Sequence, residues 1–272
     1  MTALFLKLLN MSITASYFVL GIFLLRLLLR KAPKWIFVLL WGLVALRLLL
    51  PFSIESRQSL IPSSNPIPQE ILYTANPTIH SGIPIVNSVV NPIISESLTP
   101  EIGASATPVQ SITEIIAGIW VLGMVAMLAY FSFTYLRLRH SLREAILYDQ
   151  GIWICDRIPS PFLLGIFRPR IYLPSDLEQE DIPFILAHEQ AHIKRKDHWW
   201  KPLGYLLLTV YWFNPLLWVA YILLCRDIEA ACDEKVLGLL GAEAKKPYSG
   251  ALLRCSSTKK RLPAWRRSTE LS

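Results

Sequence analysis

PFILAHEQAHIKRKDHWW, residues 183–200, places two histidines four positions apart, with a glutamate directly after the first. The stretch is apolar before the motif, basic after it, and then enters a long apolar segment at Trp199-Trp200. Residues four apart on a helix are neighbours on one face. His188 and His192 can then offer two imidazole nitrogens to one Zn²⁺ at ~2.0–2.1 Å. Glu189 can lean over the open coordination position and take a proton from water there, whose pKa zinc lowers to ~7. That is the chemistry of the HExxH pattern. Five residues also fit an ordinary solvated helix face, so a zinc reading needs a third ligand from elsewhere.

Two candidates present themselves. His198 has the spacing of a third histidine in HExxHxxGxxH, but position 195 holds Arg where that pattern has its turning glycine. On a continuous helix His198 falls about 80° off the histidine face and ~15 Å further along, which assigns it a structural or interfacial role. The second candidate is Glu229 in RDIEAACDEKVL, residues 226–237. Glu229 and Asp233 share a helix face. Glu229 would bind zinc and Asp233 would accept a hydrogen bond from a ligand histidine. An acidic solvated face is the plainer alternative, but these acids follow a membrane-grade apolar run, a costly place for them without a partner.

That run, WWKPLGYLLLTVYWFNPLLWVAYILLC (199–225), poses a geometric problem. A single crossing would put His188 and Glu229 on opposite sides of a bilayer. Phe213-Asn214-Pro215 breaks the helix instead. Trp200 to Phe213 covers only ~21 Å, and the run after Pro215 is read as shorter still. The expectation is a re-entrant or buried hairpin near 200–225 that returns Glu229 to the histidines.

The remaining chain explains the surroundings. It has 272 residues, 53% hydrophobic and 17% charged, with a mean hydropathy of +0.41. A soluble domain carries about 25% charged residues, so membrane spans are expected. The net charge of +7 sits at the ends of apolar runs, which topology explains better than nucleic-acid binding; no DNA-binding pattern accompanies it. Residues 9–29 form one span and Trp35–Leu50 a second, joined by a loop with Arg30, Lys31 and Lys34 that the positive-inside rule makes cytoplasmic. Residues 52–111 are rich in Ser, Pro and Asn and read as a loosely packed extracytoplasmic loop. A third span, Ile115 to Tyr135, leads back to Arg137, Arg139 and Arg143 inside. Cys155, Cys225, Cys232 and Cys255 form no CxxC pair and read as reduced thiols.

The organisation expected is a transmembrane hairpin (1–51), the loop (52–111), a third transmembrane helix (112–136), and a cytoplasmic, membrane-associated zinc domain (137–272). AILYDQGIWICDR suggests a β-hairpin at Gly151. In SPFLLGIFRPRIYLPSDL, Gly165, Pro169 and Pro174 argue for an edge strand. Ser175 or Asp176 would cap the helix that follows. The fold class is mainly α, multi-pass, with a small edge-strand sheet in an α+β zinc domain.

An ordered set of segments carries a resemblance: RLLLPFS (47–53), PFLLGIFRPRIYLP (161–174), LAHEQAHIKRKD (186–197), FNPLLW (213–218) and DIEAACDEKVL (227–237). Together they resemble the BlaR/MecR family of bacterial integral-membrane zinc peptidases. The resemblance implies a gluzincin-like domain with His188, His192 and Glu229 as ligands and Glu189 as base. It also implies that an extended peptide is held along the edge strand at Gly165, Ile166, Phe167, Arg168, Ile171 and Tyr172, by strand addition. Members of that family continue to an external penicillin-binding domain, whereas this sequence stops at Ser272 and reads as truncated. Ser256–Lys259 formally fits SxxK but has no SDN or KTG partner.

Three functions follow from these readings. The first is a zinc metalloendopeptidase in the bacterial cell membrane, cleaving a regulatory protein such as a transcriptional repressor in antirepressor-type signal transduction. The second is a catalytically inactive or truncated membrane signalling or scaffold protein. The third, a transporter component, finds too few polar residues inside the spans for a pathway. Lipid is an expected partner, homo-oligomerisation is left open, and direct nucleic-acid binding is not expected.

Overall fold

The computed structural model describes residues 1–50, 66–74, 77–81, 83–98 and 107–260. The end of RLLLPFS, much of the expected loop and the tail after 260 lie outside the described residues. The chain divides into two compact units. The first comprises Met1–Ala32, Ile36–Ala129 and Gly204–Leu224; the second Pro33–Trp35, Tyr130–Leu203 and Cys225 onward.

In the first unit, α1 (Thr2–Leu28) is long and apolar enough to cross a bilayer, by length and composition. The helix α4 (Pro108–Ser141), which begins in this unit, is too. The expected span Ile115 to Tyr135 is the apolar middle of α4, and the helix extends beyond it at both ends. Between them, α2 (Lys34–Leu49) has 16 residues, ~24 Å of helix.

The connection between α2 and α4 holds more structure than its composition suggests. A 3₁₀ turn covers Gln69–Leu72, and α3 spans Pro84–Leu98. The described part of the stretch expected to be partly disordered or loosely packed thus contains helix. The backbone N–H of Ser81 donates to Asn87 Oδ1 at 2.9 Å and that of Ile79 to Asn91 Oδ1 at 2.9 Å. Asn87 and Asn91 sit one turn apart, so α3 holds the chain before it with amides rather than an apolar stripe. Ile71 and Leu72 pack with Leu6 of α1 and Val109 of α4.

The break at Phe213-Asn214-Pro215 is present. α6 (Asp197–Val210) ends just before it and α7 (Pro215–Leu240) starts after it, with Pro at the first helical position, where its missing N–H costs nothing. Asn214 Oδ1 accepts from the Leu216 N–H at 2.9 Å, while its Nδ2 donates to Ser12 Oγ at 2.7 Å and Ser16 Oγ at 2.9 Å. Tyr211 donates to Leu48 O at 2.8 Å, and Trp120 Nε1 to Val210 O at 2.8 Å. The apex is thus bonded to α1, α2 and α4. One expectation fails: the segment after Pro215 is not short, because α7 continues unbroken through Glu229 to Leu240.

The second unit carries a four-stranded sheet in the order β1-β2-β4-β3, from β1 (Ile146–Asp149), β2 (Ile152–Ile154), β3 (Phe162–Leu164) and β4 (Arg170–Leu173). The expected hairpin at Gly151 joins β1 and β2, with Gly151 at φ +79°. The edge-strand reading of Gly165–Leu173 is corrected. Gly165 (φ +113°), Ile166, Phe167 and Arg168 form the turn between β3 and β4, and a Cβ at Gly165 would lie 2.5 Å from Arg168 O. Ile171 and Tyr172 belong to β4, an interior strand paired parallel with β2 and antiparallel with β3. The edge is β3. The parallel β2–β4 pairing needs a crossover connection, which alternation of side chains does not announce.

Against this sheet lies α5 (Ile182–Arg195), with Ile185 packed among Ile152, Ile171 and Leu173. The helix starts later than expected: Asp181, rather than Ser175 or Asp176, occupies the cap position, and its side chain makes no cap bond. The Asp181 carboxylate instead accepts hydrogen bonds from Arg254 Nε at 2.8 Å and from Arg254 Nη2. Arg254 belongs to α8 (Lys245–Lys260), which closes the unit.

Candidate metal centre

The helix α5 packs on α7 and α8 through Ala191, Cys232, Val236 and Tyr248, all buried. Residues 191 and 232 are small, so the helices approach closely there. Glu229 sits one helical turn before Cys232 and Asp233, and its carboxylate arrives opposite the two histidines. His188 Nε2 and His192 Nε2 are 3.1 Å apart. Glu229 Oε2 is 3.5 Å from the first and 3.4 Å from the second.

The hydrogen bonds around the rings fix their tautomers. Tyr248 OH donates to Asp233 Oδ1 at 2.7 Å, so its oxygen accepts from His188 Nδ1 at 2.8 Å. Asp233 Oδ1 also lies 3.3 Å from His188 Nδ1. His192 Nδ1 donates to Asp197 Oδ2 at 2.8 Å, and Arg195 Nε donates to the same oxygen at 3.1 Å. With both Nδ1 atoms acting as donors, both neutral rings turn an Nε2 lone pair toward the other and toward a carboxylate oxygen. Three electron-rich atoms within 3.5 Å repel one another unless a cation lies among them. A tetrahedral ion with bonds of ~2.05 Å has ligand–ligand edges of ~3.3 Å, close to all three distances. The donor set therefore fits a zinc-like ion.

The charge balance agrees. Burial disfavours the imidazolium at His188, but Asp233, Cys232 and Glu229 outweigh it and push the pKa up. At His192 burial is likewise outweighed, by Asp197, Cys232 and Glu229, and the pKa rises to about 11. Burial would raise Glu229, yet the two histidines and Lys201 hold it well below the usual carboxylate range. The centre is built for positive charge, and a divalent cation meets that demand as protons do. Lys201 Nζ donates to Glu229 Oε1 at 2.6 Å, which leaves Oε2 for the histidine side.

Cys232 also belongs to a buried cluster with the two histidines. Its Sγ lies 3.9 Å from His188 Nδ1 and 3.4 Å from His188 O. It therefore faces the ring edge already occupied by Tyr248 and Asp233, and Glu229 is the better third donor for an ion at Nε2.

Glu189 is 8% exposed. Burial raises its pKa, against the pull of His188 and His192. Glu189, the two histidines, Glu229 and Lys201 line one cavity of about 450 Å³ with Phe162, Leu163, Ile185 and Leu252. The wall facing the polar groups is edge strand β3 and its approach, Ser160–Leu163. None of Gly165, Ile166, Phe167, Arg168, Ile171 or Tyr172 lines it.

The continuous-helix argument about His198 is also corrected. Lys196 adopts a left-handed conformation (φ 60°, ψ 32°) and ends α5. α6 begins at once and swings both Asp197 and His198 toward the cavity. Asp197, Tyr248, Lys201 and Cys232 were not singled out by sequence reasoning. Only Cys232 carried a spacing signal, three residues after Glu229 on one helix face.

Residues 6–270 match the family described as BlaR1 peptidase M56. This chain belongs to the M56 peptidase family. M56 relatives include the regulatory protein BlaR1 of Bacillus licheniformis, 30% identical over 178 residues, covering 57% of this chain and 30% of that protein. Another is the methicillin resistance mecR1 protein of Staphylococcus aureus, 25% identical over 172 residues, covering 55% of this chain and 29% of the relative. The matched part thus spans under a third of the length of either M56 relative.

Proposed function

We propose that this chain is a multi-pass membrane zinc endopeptidase of antirepressor type, with a gluzincin-like domain at the cytoplasmic face, cleaving a regulatory protein of a bacterial cell. The observation that carries this reading is the convergence of His188 Nε2, His192 Nε2 and Glu229 Oε2 within 3.5 Å, beside buried Glu189. Two histidines and one carboxylate form a three-ligand set of the catalytic kind, which leaves a position open. Zn²⁺, when bound, supplies Lewis acidity.

The chain's own residues do the rest. Asp197 and the Tyr248–Asp233 pair hold the two imidazoles with Nε2 inward, as supporting carboxylates do for metal-binding histidines. Lys201 keeps Glu229 in place by one oxygen. Glu189 takes a proton from the attacking water and hands it to the leaving nitrogen. Edge strand β3, which pairs with β4 alone among the described residues, lies along the cavity wall, where an extended substrate can add as a strand. The proposed strand for the peptide is thus β3 rather than residues 165–172. A protein substrate with a regulatory role is in keeping with the names of the relatives.

The test is metal analysis joined to proteolysis, on the full chain in detergent or lipid nanodiscs. The wild type should carry one zinc per chain and cleave. His188→Ala should lose the zinc; Glu189→Gln should keep the zinc and lose cleavage. A wild-type preparation that takes up no zinc would sink the reading.

A further inference from the structure

His198 belongs to the histidine-rich stretch but not to the metal triangle, and no role above absorbs it. Its ring lines the same cavity as Glu189, His188, His192 and Glu229. Its Nδ1 is buried without a hydrogen-bond partner. Among the described residues no hydrogen bond or ion pair engages either ring nitrogen. A buried polar atom left without a partner costs free energy and asks for a reason.

The kind of orphan matters. A neutral imidazole has one N–H, and with that proton on Nε2 the buried Nδ1 is left as an acceptor rather than as an N–H without an acceptor. Burial lowers the His198 pKa, against the pull of Asp197, which favours the neutral ring. The side chain is fixed where it stands by the left-handed turn at Lys196, which starts α6 at Asp197, and by a tilted ring contact with Trp199 at 6.3 Å. The result is a neutral, preorganised N–H donor in the cavity that holds the base and the metal triangle.

We propose that His198 is a catalytic residue whose Nε2–H donates a hydrogen bond to the scissile carbonyl oxygen as negative charge develops on it. The assignment rests on the endopeptidase reading. In the step, water oxygen bonds to the carbonyl carbon and its proton goes to Glu189. The carbonyl π pair moves onto the oxygen, where His198 meets it. Collapse restores the carbonyl, breaks the C–N bond, and sends the proton from Glu189 to the leaving nitrogen. A donor aimed at developing charge is worth about 10²–10³ in rate. It acts on the transition state, so kcat falls without a matching rise in KM when it is lost.

The experiment compares wild type, His198→Ala and His198→Gln on a mixture of quenched-fluorescent peptides. Zinc stoichiometry and thermal unfolding are measured on each, together with binding of a phosphinic peptide and of the cleaved product peptide. We expect His198→Ala to lose about 10²–10³ in kcat with KM nearly unchanged and one zinc retained. Its affinity for the phosphinic peptide, which carries the tetrahedral oxyanion, should fall by a similar factor while product binding holds. His198→Gln, with an amide donor, should recover part of both. Unchanged kcat in the folded Ala variant would overturn the assignment, as would loss of zinc, which would make His198 a ligand. A wild type that binds neither zinc nor the phosphinic peptide would instead overturn the endopeptidase reading itself.

Discussion

Asp197 is 2% exposed and holds two groups with one oxygen: His192 Nδ1 at 2.8 Å and Arg195 Nε at 3.1 Å. Replacing it by Asn keeps the shape but removes the charge that orients the imidazole. Removing the outer partner of a metal-bound histidine costs about 10- to 100-fold in metal affinity, or about 1.4–2.7 kcal/mol at tenfold per 1.4. Arg195 keeps a second bond, from Nη1 to Ala231 O at 3.3 Å, so the fold should survive Asp197→Asn. Asp197→Ala is harsher, because it leaves a buried pair half made, a loss of about 3–5 kcal/mol. A competitive chelator titration gives the zinc affinity, and a thermal melt of the metal-free protein separates folding from binding. Asp197→Asn with wild-type zinc affinity would refute the account of how His192 is held.

Three further outcomes follow from the same geometry. Because the carboxylates raise the pKa of both His188 and His192, the metal-free rings carry Nε2 protons at pH 7 and zinc uptake should release about two of them, read by calorimetry in buffers of different ionisation enthalpy; release of none would contradict the charge balance of the centre. Hydrogen bonds from Arg254 lower the Asp181 pKa, so their stabilisation is present above the unfolded value and is lost as pH falls through the folded one; Arg254→Gln should be less stable than wild type at pH 7, with the gap closing below about pH 4. A Cβ at Gly123 would collide with the Trp212 ring, so Gly123→Ala should displace that ring, break its bond to Trp120 O and cost about 1–3 kcal/mol despite better helix propensity, as a melt would show.

How much of this the sequence revealed depended on whether the needed contact was local. His188, Glu189 and His192 are local to one helix, and Glu229 with Asp233 local to another; a period of 3.6 exposes both sets. The break at Asn214-Pro215 was legible because Pro lacks the N–H a continuing helix needs. Asp197 was not, since its reach to His192 depends on Lys196 turning left-handed, a conformation few non-glycine residues announce. Tyr248 and Lys201 meet the site from α8 and α6, by packing that no spacing encodes. The edge strand was misplaced because Gly165 and Pro169 signal a turn as readily as an edge. The helix α3 was missed because Pro92 interrupts its pattern and its Asn side chains face inward.

The place of Glu229 opposite the histidines has a consequence for chain entropy. An ion shared by His192 and Glu229 ties together two points 37 residues apart in sequence, with α6 and the first part of α7 between them. By the loop-closure relation used for disulfides, such a tie removes ~4 kcal/mol of freedom from the unfolded chain. The cation would thus serve as a reversible staple as well as a reagent. Cells short of zinc would then hold a protein that is not only idle but also easier to unfold and degrade.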